Sequence, residues 1–527
     1  MAAVSKIDSN VTGLRIAKES TIGVLPGTPI WYPLEPNSYG DFGGNVTTVA
    51  RETINDARSR QKGVTTDVEA SGNLESDMTQ DSLEHLWEGL FYAGYAKKAE
   101  RFNNHTEDSV ITLVDATTQD FTFTTGDVFR AGDLVFASGF TNAGNNGLHL
   151  ANTVSGATSL SVTSSLVDEA APAALAKLVT VGYEFATGDA TIVVSGTLPQ
   201  IVSSAKDMTE LGLTPGEFIY IGGDAADEKF FTAADNGWAR VRSVSSTAIT
   251  LDKTSAVMTA DDGTDDNSGG TGQTIRIFFG RTVQNKVGSN IVRTTYQLER
   301  KLGAADDANP THIQSEYLKG SCLNEMTINI PTAEKVTTET AFMSKDVEHR
   351  AGAASGSEAL KSGTRPTLVS MEAFNSSSDV ARIRLAGVSA TDEFPTALFS
   401  FVMEGSVSIN NNNARNQALG TVGAFDYSAG TFEVSAEVTA YFQNVAALTS
   451  IRNNDDVTLD ITMVKDNAGL AIDLPLLTLG GGLAQVELNE PVKLPLTADA
   501  SQATSVDAAY THTAKVCVFD YLPDAAE

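Results

Sequence analysis

The stretch Asp67-Val68-Glu69-Ala70-Ser71-Gly72-Asn73-Leu74-Glu75-Ser76-Asp77-Met78 decides the fold class. Its odd positions are polar and its even positions are apolar or small. That period of two belongs to a strand with one wet and one dry face. Directly after it, Leu83, Leu86, Trp87 and Leu90 fall at i, i+3, i+4 and i+7, the spacing of an amphipathic helix opened by an acidic turn at Thr79-Gln80-Asp81. The unit returns as Thr431-Phe432-Glu433-Val434-Ser435-Ala436-Glu437-Val438-Thr439-Ala440-Tyr441-Phe442, followed by a helical stretch from Val445 to Arg452. Each long strand is preceded by another β run and a loop: 45–50 then 51–63, and 398–409 then 410–430. This order predicts an internal duplication.

Between the copies a second repeat is visible. Ala131-Gly132-Asp133-Leu134-Val135-Phe136, Asn145-Asn146-Gly147-Leu148-His149-Leu150 and Ser159-Leu160-Ser161-Val162 match Pro215-Gly216-Glu217-Phe218-Ile219-Tyr220, Asp235-Asn236-Gly237-Trp238-Ala239-Arg240-Val241 and Ala248-Ile249-Thr250-Leu251. Two small β modules are expected over 105–285, with the Asn-Gly dipeptides read as type I′ hairpin turns. The reading is mainly β: a framework over 1–104 and 286–527 with flanking helices, interrupted by the modules. The segment 361–392 is left as a connection or a further excursion. A chain of 527 residues suits such a multi-domain plan.

Composition narrows the function. With 41% hydrophobic and 19% charged residues the chain is globular. Lys plus Arg number 36 against 66 Asp plus Glu, a formal charge of −30 that repels phosphate backbones and anionic membranes. Two cysteines, Cys322 and Cys517, are too few for a disulfide framework or thiolate cluster. The first twenty residues lack a signal peptide's apolar core, and no apolar run is long enough to span a bilayer, so neither secretion by the general route nor a membrane role is expected.

Catalytic signatures are weak. His85, His105, His149, His312, His349 and His512 show no paired metal-ligand spacing. The run 261–267 is oxygen-rich but lacks an EF-hand's ordered ligands, and Gly480-Gly481-Gly482 lacks the Lys and helix of a phosphate loop. No catalytic residue, metal ligand or cofactor is assigned. Two non-catalytic features stand out instead. One is the acidic wet face of the paired strands, Asp67, Glu69, Glu75, Asp77, Glu433 and Glu437, read either as an ordinary solvated face or as the lining of a channel. The other is the basic loop carrying Arg51, Arg58, Arg60 and Lys62, long enough to suggest a contact between subunits.

The order Gly23-Val24-Leu25-Pro26-Gly27-Thr28-Pro29, the loop ending Arg58-Ser59-Arg60-Gln61-Lys62-Gly63, the strand 67–77 and the helix 83–90 resembles the N-terminal part of major tail tube proteins of tailed bacteriophages. Tyr296-Gln297-Leu298-Glu299-Arg300 and Tyr317-Leu318-Lys319-Gly320-Ser321-Cys322-Leu323-Asn324-Glu325-Met326-Thr327-Ile328 resemble its middle region. The resemblance implies a β-sandwich whose sheet joins those of its neighbours in a ring, rings stacked into a virion tail tube, and DNA passing without specific binding. It implies as partners other copies of the chain, either six or three in a pseudo-sixfold ring. Tape measure, terminator and baseplate proteins would follow, with synthesis in the bacterial host cytoplasm. The rival expectations are a virion decoration or host-glycan-binding protein, and a glycan hydrolase; aromatic content of 7%, without visible clustering, favours neither.

Overall fold

The computed structural model describes residues 7, 9, 12–54, 56, 60–80, 83–96, 98–103, 110–124, 129–152, 158–194, 198–264, 273–304, 312–353, 358–367, 372–389 and 391–527. The alternating stretch forms the outer part of a seventeen-residue strand, Gln61–Asp77. Ala70, Leu74 and Met78 are buried while Glu69, Asn73 and Glu75 are exposed. Its counterpart, Glu433–Tyr441, alternates more strictly, with Val434, Ala436, Val438 and Ala440 all buried. An apolar side chain of Leu or Val size contributes roughly 1.5–3 kcal/mol when fully buried, so a one-residue slip in either strand would forfeit several such terms.

The framework strands fall into two series. The first is β1 (Gly13–Lys18), β2 (Gly43–Arg51), β3 (Gln61–Asp77), β4 (Tyr296–Gly303), β5 (His312–Ile330), β6 (Thr337–Ser344) and β7 (Asp346–Ala353), with helix α1 (Trp87–Phe91) after β3. The second is β8 (Val380–Gly387), β9 (Val402–Asn410), β10 (Glu433–Tyr441), β11 (Val457–Lys465), β12 (Ala468–Gly481), β13 (Lys493–Ala500) and β14 (Lys515–Phe519), with α2 (Ala446–Asn453) after β10. In the first series β1 pairs with β4, β2 with β3, β3 with β6, β6 with β5, and β5 with both β4 and β7, all antiparallel. In the second, β8 pairs with β11, β9 with β10, β10 with β13, β13 with β12, and β12 with both β11 and β14. Every pairing of one series recurs in the other at the same chain order. The copies also align residue by residue: the Met78 amide donates to the Val336 carbonyl and the Phe442 amide to the Val492 carbonyl, both at 2.9 Å. Glu69 therefore corresponds to Glu433, and Asn73 to Glu437. One hydrophobic core runs through both copies, from Leu74, Trp87 and Leu318 to Val438, Leu459 and Leu474.

Regular α-helix after β3 is confined to Trp87–Phe91, shorter than the spacing suggests, while 83–86 is turn. Tyr296 explains the local geometry: its hydroxyl accepts from the Gly89 amide at 3.1 Å and donates to the His85 carbonyl at 2.6 Å. It packs so closely that a Cβ on Gly89 would lie 2.5 Å from its ring. The basic loop is also shorter than expected. Arg51 ends β2 and Lys62 lies within β3, which leaves 52–60 as the connection.

From Glu100–Phe102 to Ile275–Phe279 the chain builds a separate ten-stranded sheet with a three-stranded companion. Its halves repeat. Asp133–Ser138 pairs with Gly147–Leu150 and Lys177–Phe185, as Phe218–Ile221 pairs with Gly237–Val244 and Ile275–Phe279. The Asn-Gly dipeptides do not form type I′ turns. Asn146 and Asn236 have extended backbones, φ −93° and −111°, at the entry to strands. Their side chains clamp the preceding loop instead. Asn236 Oδ1 accepts from the Phe230 amide at 2.9 Å, and its Nδ2 donates to the Phe230 and Thr232 carbonyls at 2.9 and 3.0 Å. Asn146 makes the corresponding bonds to Phe140 and Asn142. Asn236→Ala leaves these loop groups unpaired and should cost about 1–3 kcal/mol, read as a lower urea midpoint at unchanged slope; an unaltered midpoint would mean that the clamp carries no stability.

Candidate assembly interface

The two copies meet edge to edge. Beyond Ser321, where β4 ends its pairing, the outer half of β5 takes β9 of the second copy as an antiparallel neighbour, from Glu325 opposite Asn410 to Ile330 opposite Gly405. Ile328, Ile330, Val407 and Ile409 are buried at this joint, and Thr327 Oγ1 donates to Ser408 Oγ at 3.0 Å. The chain leaving β9 then crosses onto the first copy. Asn411 Nδ2 donates to the carbonyls of Leu90 and Leu323 at 2.9 and 3.1 Å, and the Asn413 amide to Asn324 Oδ1 at 2.8 Å. Ala424 and Tyr427 bury themselves against Cys322, whose thiol burial pushes up to about 12. Gly423 has φ +82° and approaches so closely that a Cβ would meet the Lys345 carbonyl at 2.9 Å.

Arg415 is the charged element of this crossing. Its Nη2 donates to the Val68 carbonyl at 2.8 Å, and its guanidinium lies 3.4 Å from Asp67 and 3.6 Å from Glu69. Desolvation would raise the Asp67 carboxyl, but Arg415 together with hydrogen bonds from Gln417 and the Val68 amide holds it below its ordinary value. A basic group beyond one copy's first hairpin strand thus meets the acidic face of the other copy, within a single chain.

The other singled-out residues fall as follows. Asp77 accepts from Lys335 Nζ at 2.7 Å and from Asn37; Glu75 accepts from Ser38 Oγ at 3.1 Å. Glu433 and Glu437 are exposed on the wet face of β10 and make no ion pair among the described residues. Arg51 and Lys62 are exposed and likewise make no ion pair among the described residues, while Arg60 lies 3.7 Å from Glu52. Arg58 lies outside the described residues. Also among the described residues, no group of three or more His, Cys, Asp and Glu is placed to hold a metal ion, and no helix is long and apolar enough to cross a membrane.

A second interface was not anticipated from the sequence. The inserted sheet docks on the second copy through an apolar cluster that includes Phe218, Trp238, Phe278, Ala471, Cys517 and Phe519, with buried charges beside it. Arg240 donates to Asp252 at 2.7 and 2.8 Å within the inserted sheet and to Asp473 at 3.0 Å across the seam; Lys253 Nζ lies 2.7 Å from Asp473 and 3.7 Å from Asp460, with which Arg382 of the second copy also pairs. A sequence signal existed: Asp460 and Asp473 each interrupt an otherwise apolar or hydroxyl-bearing strand, and a charge in such a run requires a buried partner. Burial alone would raise the carboxyls of Asp252, Asp460 and Asp473, but the surrounding Arg and Lys side chains hold all three below their ordinary values.

With the geometry in place, the chain defines a class: a duplicated, mainly β protein whose copies join by sheet edges. The family model for phage tail tube proteins matches residues 9–215 and 216–500. The chain belongs to the phage tail tube protein family, a structural component of the virion tail. The two matched spans meet within the inserted sheet, whereas the strand pairings separate the copies between Ala353 and Val380. No curated protein matches the sequence. Among solved structures, a phage phi92 endosialidase is similar at 10% identity over 90% of this chain and 70% of that chain, with a TM-score of 0.13, too low to inform fold or function.

Asp473→Asn strands Arg240 and Lys253 without their shared carboxylate and should cost about 3–5 kcal/mol, measured by chemical denaturation. The pH dependence has a defined sign. Depressed carboxyls contribute stability that is present above about pH 4 and lost as pH falls below it. Wild type should therefore lose stability between about pH 5 and 3 more steeply than the Asp473→Asn variant. Parallel acid profiles would show that the seam contributes nothing.

Proposed function

We propose that this chain self-assembles into rings that stack as the tube of a bacteriophage tail, the conduit through which the genome leaves during ejection. The observation that carries this reading is the β5–β9 joint: two framework copies in one chain already associate by their sheet edges. Family rings of six units, as the resemblance implies, would then need three chains in a ring of pseudo-sixfold form. An open strand edge is a template for further pairing, and a barrel of many strands leaves an aqueous lumen.

The acidic faces of β3 and β10 line that lumen in this reading, with Asp67, Glu69, Glu75, Asp77, Glu433 and Glu437 as contributors. Together with a chain charge of −30 they would repel passing DNA phosphates, so DNA transits without adsorbing. The loop residues Arg51, Arg58, Arg60 and Lys62 serve contacts between subunits. The division is 1–104 and 286–527 as framework and 105–285 as inserted modules outside the wall. Tape measure, terminator and baseplate proteins are its tail partners, and synthesis occurs in the host cytoplasm before incorporation into the virion.

Electron microscopy of the purified protein over a concentration series tests assembly: hollow stacked rings with threefold modulation are expected, and compact particles at every concentration contradict it. Lys in place of Glu75 and Glu437, which make no ion pair among the described residues, should leave tubes assembled while phage carrying the variant deliver DNA at least tenfold less efficiently. Equal delivery would remove the lumen assignment.

A further inference from the structure

The joint inside the chain has open counterparts at its two ends. β2, the equivalent of β9, pairs only with β3 among the described residues, and in the stretch 41–45 Asp41 and Asn45 are exposed and Gly43 and Gly44 half-buried. β12, the equivalent of β5, loses its β11 neighbour at Leu477, so among the described residues 478–481 pair with β13 on one edge alone. The segment that follows shows what is missing. Leu483 and Val486 are 83% and 75% exposed, whereas Ile328 and Ile330, in the corresponding stretch of β5, are 1% and 5% exposed. Val486 is the equivalent of Ile330 and stands bare where, among the described residues, no strand equivalent to β9 lies beside it; Leu483, at the position of Thr327, is bare as well.

We propose that a second copy of this chain supplies the missing strand: β2 of one chain pairs with the end of β12 of the next, in the register of the internal joint. This inference rests on the ring reading above and names the surfaces that close the ring. The register follows from residues already paired. Asn45 stands opposite Glu69 and Asn410 opposite Glu433, which makes Asn45 the equivalent of Asn410. Gly480 opposite Thr497 corresponds to Glu325 opposite Ala341. Glu325 faces Asn410, so Gly480 of one chain faces Asn45 of the next. At the other end, Gln485 bridges Lys493 as Asn329 pairs with Thr337, and Asn329 faces Ser406. Asp41 holds the place of Ser406, its carboxylate accepting from Asn73 Nδ2 at 3.1 Å where Ser406 stands opposite Glu437. Asp41 therefore faces Gln485, with one extra residue accommodated in the glycine run 480–482.

Cross-linking in assembled rings tests the joint. Asp41→Cys and Gln485→Cys replace two exposed side chains, and native Cys322 and Cys517 are buried. Under mild oxidation the double variant should give disulfide-linked oligomers on a non-reducing gel, and either single variant none. A second variant, Leu483→Asp, alters a side chain that the single chain leaves in solvent; it should retain a folded chain by circular dichroism and abolish rings. Wild-type rings that neither cross-link nor respond to Leu483→Asp overturn this joint and leave the tube reading standing. A wild-type chain that forms no rings overturns the tube reading, and the joint with it.

Discussion

Unpaired backbone at a strand edge is the constraint on which the rest of the molecule depends. Every N–H and C=O of a strand demands a partner, and an exposed apolar edge finds one in another chain unless it is covered. Within this protein the demand is met once, where the outer half of β5 receives β9 and buries Ile328, Ile330, Val407 and Ile409. The hairpin segment beyond β9 then locks the joint through Asn411, Asn413 and Arg415. Strand pairing sets the register, and the charged and amide contacts reject a shifted one.

The inserted sheet follows a different logic. Its strands bury their own cores, and it meets the framework through an apolar cluster around Phe218, Trp238, Ala471 and Phe519, beside which Arg240, Lys253 and Asp473 form a charged seam with almost no access to water. Such a seam contributes little net stability compared with apolar packing, but it fixes orientation, because any displacement leaves a charge buried without its counter-ion. The framework is thus free to present its wet strand face and its open edges, while the modules hold a defined position on the second copy.

Much of this plan was legible in the sequence because alternation is local. Asp67 to Met78 and Thr431 to Phe442 announce their faces residue by residue, and the strand, loop, strand and helix order announces the duplication. What stayed hidden is non-local. Nothing in Glu325 to Ile330 marks a strand that will pair with Gly405 to Asn410, since edge choice depends on which neighbour arrives. Arg415, the basic residue that reaches the acidic face inside the chain, carries no local signal, because its contact depends on the chain leaving β9 and crossing onto the first copy. The Asn-Gly dipeptides misled for a physical reason: Asn146 and Asn236 use their side-chain amides on the preceding loop, which holds their own backbone extended. The 83–90 spacing overstated the helix, because Tyr296 supplies the polar partners of its first turn and leaves regular helix only over Trp87–Phe91.

The central claim is that one chain contributes two equivalent wall units joined as neighbouring chains are joined. Its most direct test is the mass of a single ring, obtained by native mass spectrometry of rings released from tubes. Three times the chain mass of 55.5 kDa is expected. A ring of six chains would mean that each chain supplies one wall position and that the second copy serves elsewhere, which would contradict the claim.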